Sequence, residues 1–393
     1  MINKKSCAVV LGGYVNGYSI IRELYDSGVR DIVLVDYNRS LSSFSNKVLH
    51  QFVIDRDKES LLSVLNQLHK KYENIILYPT DDIQLEFLVD IYKKVCDFCF
   101  IPFNPDNLIK TLDKSYQYFW CEKLGIPYPV SRTLETEADW QFIRELRPPL
   151  LVKPSKRDDL TSSVFRNAFF ETYECLESAR SGLFEHVRSG VKFVVSEFIP
   201  GNDTNIYAYT AYRSFDGRIL NEWIGKKLTQ YPDNFGVFSS AANVGPDVIQ
   251  EYGRRLLNGM NLWGIAEPEF KYDERDGQYK LMEINLRSMM WHRTGNLSGV
   301  KLQYTQWLDA AGIEPPRQQQ NRIERIHYIY MKHELLNLIS RNNYFKYFKR
   351  NIFNCNKCEF AVFNWADLKP FIYDLLSLSK EIMGTWLKRW RKH

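Results

Sequence analysis

The 393-residue sequence contains no run of about 18 apolar residues, so no stretch of it reads as a membrane span. The start, MINKKSCAVVLGG, carries two lysines. Its apolar run stops at Gly12 and Gly13, which marks a first buried strand and not a signal peptide. Cysteine is sparse and odd in number: Cys7, Cys96, Cys99, Cys121, Cys175, Cys355 and Cys358 show no framework spacing. That excludes a disulfide-stapled scaffold and points to free thiols in a reducing compartment, the cytoplasm. The seven histidines are isolated, and G-x-S-x-G, H-E-x-x-H and G-x-G-x-x-G are all missing. GGYVNG with Asp36 at the end of the second strand has the wrong spacing for a redox dinucleotide loop. A net charge of +5 is too small for this length to suggest nucleic acid as a partner.

With 45% apolar and 25% charged residues, the chain can bury two or three cores. Ala8 to Leu11, a helix Tyr18 to Tyr25 and a strand Asp31 to Asp36 make a βαβ opening. Further strands are expected at Asn74 to Tyr78 and Cys96 to Ile101, giving an open parallel sheet of about four strands over residues 1–110. Asp113 reads as the N-cap of a helix Lys114 to Leu124, closed by Gly125. A small α+β module follows over about 128–200. It has a helix near Glu135 to Glu145, a strand Leu150 to Lys153, a strand from Val164, a helix near Thr172 to Glu185 and a strand Lys192 to Phe198. A hairpin turning at Asp216 and Gly217, a helix Pro246 to Asn258 and a strand pair about Asp273 to Gly277 complete a unit over 111–314. Residues 315–393 read as an aromatic, basic helical appendage. The fold class is therefore α/β and α+β, multidomain.

The chemistry concentrates in EFKYDERDGQYKLMEIN, Glu269 to Asn285. A three-residue loop of Arg275, Asp276 and Gly277 would set Glu274 against Gln278 and, counting back, Glu269 opposite Glu283. Asn285 shares the face of Glu283, so three oxygen donors form a hard, anionic patch suited to Mg²⁺. Lys153 ends the strand LLVKP and Lys114 opens a helix, so both can aim ammonium groups at phosphate oxygens. In VVSEFIPG the strand breaks at Pro200, leaving backbone groups of Glu197 to Ile199 partly unpaired for a planar base.

The ordered set DK, VKP, SEFIPGND, EFK and EIN resembles the ATP-grasp superfamily. The match is nearest to the carboxylate–amine ligases that include D-aspartate ligases, with likeness also to carbamoyl-phosphate synthase domains. The resemblance covers residues 1 to about 310. It implies an ATP-grasp fold with an N-terminal Rossmann-like domain and a small lid. ATP would bind with Lys114 and Lys153 on its phosphates, Glu197, Phe198 and Ile199 as the adenine hinge and Asp203 near ribose or substrate. Glu269, Glu283 and Asn285 would hold Mg²⁺ or Mn²⁺, with Arg287 steadying the acyl phosphate, Lys227 matching a basic catalytic position of the family, and Asp81 and Asp82 near the substrate. Two departures stand out. Thr229 replaces an expected arginine, and the lid loop Ser155 to Ser163 has no glycine, so Lys156 and Arg157 would substitute by charge.

The implied activity is ATP-dependent joining of a small carboxylate, such as an amino acid, to an amine acceptor, in the manner of cell-wall or surface-polysaccharide precursor synthesis. A carboxylase-type enzyme and a non-catalytic Mg-ATP sensor are the alternatives. The two C-x-x-C pairs read as core thiols before zinc ligands, because Cys96 and Cys99 fall in a strand-like run. The basic, aromatic tail Trp386 to His393 reads first as a solvated terminal helix, with peripheral contact with a membrane surface or grip on an anionic acceptor as the alternative.

Overall fold

The computed structural model describes residues 5–155, 164–233 and 236–390, with no side chains described beyond residue 382. Lys156 and Arg157, and the tail side chains Trp386 to His393, lie outside it.

Five strands, β1 (Ser6–Leu11), β2 (Ile32–Asp36), β3 (His50–Val53), β4 (Asn74–Tyr78) and β5 (Cys99–Phe100), form a parallel sheet ordered β3-β2-β1-β4-β5. The central strands are apolar throughout because helices cover both faces. β3 was not anticipated: it is a polar edge strand with His50, Gln51 and Val53 exposed, so it carries no burial pattern. The expected strand Cys96 to Ile101 shrinks to β5, because the helix Asp82–Val95 runs up to Cys96 as its C-cap. The Gly13 N–H donates to the Asp36 carboxylate at 2.8 Å, so this acid ties down the glycine turn.

The second sheet is antiparallel, ordered β6-β9-β7-β8, from β6 (Ser131–Leu134), β7 (Leu150–Pro154), β8 (Ala168–Phe170) and β9 (Phe193–Glu197). The helix Tyr173–Arg188 packs on it around Leu150, Val152, Phe184 and Phe193. The helix expected over Glu135 to Glu145 is a 3-10 turn, Glu137–Asp139, followed by a single turn Trp140–Ile143. The strand expected from Val164 starts at Ala168.

The third sheet has seven strands ordered β14-β13-β10-β11-β12-β15-β16. These are β10 (Ile206–Arg213), β11 (Ile219–Tyr231), β12 (Val237–Ala242), β13 (Gly264–Asp273), β14 (Gln278–Asn285), β15 (Ile326–Ile329) and β16 (Lys357–Phe360). The expected helical appendage is thus corrected. Ile326 to Ile329 are all buried, and β15 extends the sheet by pairing Ser240 with Ile329. Helices Met331–Ser340, Phe345–Phe353 and Leu368–Trp390 surround these two added strands. A carboxylate locks them on: Glu334, with no exposed surface, accepts hydrogen bonds from Thr229, Ser239, Ser240, Tyr344 and Asn351. Thr229, which stands where the resemblance led us to expect an arginine, is one of these five donors.

Candidate active site

The β13–β14 hairpin places Glu269 directly opposite Glu283, as the residue count had it, and Glu267 opposite Asn285. The route differs from the count. Asp273 pairs with Gln278, so the connecting loop has one more residue than expected, and a bulge at Met282 shifts the ladder back by one. Both irregularities have a cause. Gly277, at φ +70, closes the loop by donating to the Asp273 carbonyl at 2.9 Å. The buried Asp273 carboxylate gathers Arg275 and Lys280, each at 2.7 Å, and they hold it well below the usual carboxylate range.

β14 is a sheet edge, and the helix Lys114–Leu124 supplies the partners it lacks. The Gln117 amide accepts from the Ile284 N–H at 3.0 Å and donates to the Ile284 carbonyl at 3.4 Å. Tyr118 donates to the bulged Met282 carbonyl at 3.3 Å, and Leu281 N–H reaches the Pro127 carbonyl at 2.8 Å. Glu283 is thereby fixed between two anchored backbone neighbours.

The acids are strongly desolvated. Burial pushes the Glu269 carboxyl up to about 7, against the pull of Lys227, and the neighbouring Glu283 and Glu267 add to the rise. Lys227 Nζ lies 2.6 Å from Glu269; burial opposes its charge, yet Glu269 holds it above the ordinary lysine range. Burial lowers Lys153 and brings Lys271 down to about 8. Arg287 reaches Asp82 of the first domain, Nε to Oδ1 at 2.5 Å. His292 fixes the loop that carries Arg287. Its Nδ1 accepts from the Met289 N–H at 3.2 Å, so its Nε2 donates to Glu267 at 2.6 Å.

Most of these groups converge on one cavity of about 390 Å³, walled by the second and third sheets and by residues that follow β1 and β4 of the first. Lys114, Lys153, Glu197, Phe198, Ile199, Lys227, Glu269, Glu283, Asn285 and Arg287 all line it, and Asp81, Asp82 and Glu86 line the end nearest the first domain. Asp203 is not brought there. Gln230 occupies its carboxylate with both its N–H groups at 2.9 Å, and Arg341 lies 3.5 Å away. The hinge is also more occupied than the sequence suggests. Glu197 N–H donates to Val130 and Phe198 N–H to Pro149, while among the described residues nothing takes the Ile199 N–H. Lys271, Glu267 and Gln117 went unread in the sequence. Lys271 sits in the quoted EFK, two residues past Glu269 on the same strand face, so alternation alone could have found it.

No family model matches the chain. It is 25% identical over 312 residues to the D-aspartate ligase of Enterococcus faecium (strain Aus0004), covering 72% of each protein. Among solved structures it is similar to the ADP complex of N5-carboxyaminoimidazole synthetase from Staphylococcus aureus, with a TM-score of 0.63, 15% identity and 86% of each chain covered. The L-amino acid ligase from Bacillus licheniformis gives a TM-score of 0.60 at 16% identity, covering 81% of this chain and 77% of the other. The chain has the ATP-grasp fold.

The Staphylococcus aureus neighbour was solved with ADP and a biotin carboxylase neighbour with MgADP, and the residues here fit such a nucleotide and metal. The buried Asn285 amide nitrogen and one oxygen of Glu267 have no partner among the described residues, and Glu269 is held in an anionic cluster that a cation would relieve. Glu269, Glu283 and Asn285 would hold the metal. Among the described residues no group of three His, Cys, Asp or Glu side chains is arranged for one, but Mg²⁺ needs only one or two carboxylates beside phosphate oxygens and water. When bound, it would neutralise charge on the transferring phosphate.

Proposed function

We propose that this chain is an ATP-grasp carboxylate–amine ligase that activates a small carboxylate, such as an amino acid, and joins it to an amine acceptor. A carboxylate is a poor acyl donor because its leaving group would be oxide. Attack of a substrate carboxylate oxygen on the γ-phosphorus expels ADP and leaves an acyl phosphate. The amine then adds to the acyl carbon, phosphate departs with the bonding electrons, and the nitrogen loses a proton to give the amide.

The observation that carries this reading is the meeting of Glu269, Glu283 and Asn285 with Lys114, Lys153, Lys227, Lys271 and Arg287 in one cavity. Phosphoryl transfer asks for positioning and charge neutralisation, which these groups supply without a protein nucleophile. Lys114 and Lys153 suit the ATP phosphates, Ile199 the adenine edge and Arg287 the acyl phosphate. The D-aspartate ligase among the relatives makes acidic amino acids the first carboxylates to try.

The test is ADP release from Mg-ATP, screened against pools of carboxylates and amines, with Glu283→Ala as control. Release that needs both substrates and vanishes in the variant supports the ligase. Bicarbonate-stimulated release without an amine would replace it with a carboxylase, and tight ATP binding without turnover on any pool with a sensor.

A further inference from the structure

The C-terminal helix Leu368–Trp390 has two unlike faces. Its inner face is held by polar contacts: Asp374 accepts from Tyr330 at 2.9 Å, and Lys332 reaches Ser377 at 3.0 Å and Glu381 at 2.6 Å. Just before the helix, Asp367 binds Ser45 at 2.5 Å and the Asn46 N–H at 3.1 Å, fixing the helix start to the first domain. The outer face carries Leu368, Ile372, Leu375 and Leu376, 38–58% exposed at helical spacing, and Trp365 stands 80% exposed one turn before them. An apolar stripe held out by a rigid mount calls for a partner.

Charge selects that partner. From Leu368 to the end, the sequence has six basic residues, Lys369, Lys380, Lys388, Arg389, Arg391 and Lys392, against two acids, Asp374 and Glu381. Both acids are engaged on the inner face, whereas Lys369 and Lys380 are exposed beside the apolar stripe. Apolar side chains flanked by outward lysines, with an aromatic at the margin, match the interface of a bilayer bearing anionic headgroups.

We infer that the outer face of this helix, with Trp365, docks the protein in plane on an anionic phospholipid surface. The described stripe itself carries this surface. Among the described residues no helix is long and apolar enough to cross a membrane, so the contact is peripheral. The inner face leads to the cavity, because Tyr330 also bonds Tyr14, a cavity residue, at 3.0 Å.

The experiment is co-sedimentation of the full chain with vesicles of phosphatidylcholine alone or mixed with phosphatidylglycerol, with sedimentation mass measured in parallel. Binding should favour the anionic vesicles by about a hundredfold and weaken with salt. Ile372→Asp with Leu376→Asp, and separately Lys369→Glu with Lys380→Glu, should each cut it by about tenfold or more. All four positions are exposed, so melting temperature and ADP release without vesicles should not move. Absent binding, equal binding to both vesicle types, or aspartate variants that change only the sedimentation mass would overturn the inference, the last by assigning the stripe to a second copy of the chain.

Discussion

Lys227 on β11 and Glu269 on β13 form an ion pair of 2.6 Å across the intervening strand β10, and each side chain keeps less than a tenth of its surface exposed. A pair this deep contributes little net stability, but removing one member strands the other. Lys227→Met should therefore destabilise the fold by about 3 kcal/mol, while Lys227→Met with Glu269→Gln should recover most of that loss. Urea unfolding of the two single variants and the double variant checks it; simple additivity would refute the coupling.

Glu283→Gln separates activity from stability. It removes a like charge beside Glu269, so the melting temperature should hold or rise, while ADP release should fall by about a hundredfold or more. A variant that loses activity and stability together would show Glu283 to be a structural group instead.

The Glu334 carboxylate is the acceptor for five neutral donors, and glutamine offers only one oxygen. Glu334→Gln should cost about 2 kcal/mol by leaving hydroxyls buried and unpaired, and Thr229→Ala about 1 kcal/mol. Guanidinium unfolding curves of the two variants would show the order; equal losses would contradict it.

His333 packs under β12, donating to the Phe238 carbonyl at 2.7 Å, and burial pushes its pKa down from 6.5 to about 4. The unfolded chain then binds a proton that the folded one refuses. The stability this histidine contributes is complete above pH 6.5 and lost as pH falls through 4, by up to about 3 kcal/mol. The fall in melting temperature between pH 7 and pH 4.5 should be smaller in His333→Gln than in the parent chain; parallel slopes would exclude His333 as the cause.

Gly264 has φ +78, and a side chain there would strike the Pro102 carbonyl where the first sheet's last loop meets β13. Gly264→Ala should destabilise by at least about 2 kcal/mol, whereas Gly190→Ala, also at positive φ but with open space around it, should cost less. Thermal melts of both variants separate contact from backbone strain.

The hairpin shows how far the sequence could be read. Counting from a three-residue loop gave the Glu269–Glu283 pairing, and the real hairpin reaches the same pairing through a longer loop cancelled by the Met282 bulge. The face on which an acid lies is local information, because alternation fixes it; the bulge depends on Gln117 and Tyr118, more than a hundred residues away. Asp203 is the opposite case. Its place after the hinge suggested a cavity residue, but Gln230 and Arg341, distant in sequence, captured its carboxylate.

Strand periodicity, helix caps and the order of lysines and acids determined most of the strands and most of the charged residues that line the cavity, because each depends on neighbours within a few positions. Only the tertiary structure decided that Ile326 to Ile329 join the third sheet, that Lys271 and Glu267 stand beside the expected acids, and that Glu269 is buried against Lys227 with two further carboxylates nearby. Those outcomes are set by burial and by long-range hydrogen-bond partners, and a chain acquires both only when distant segments meet.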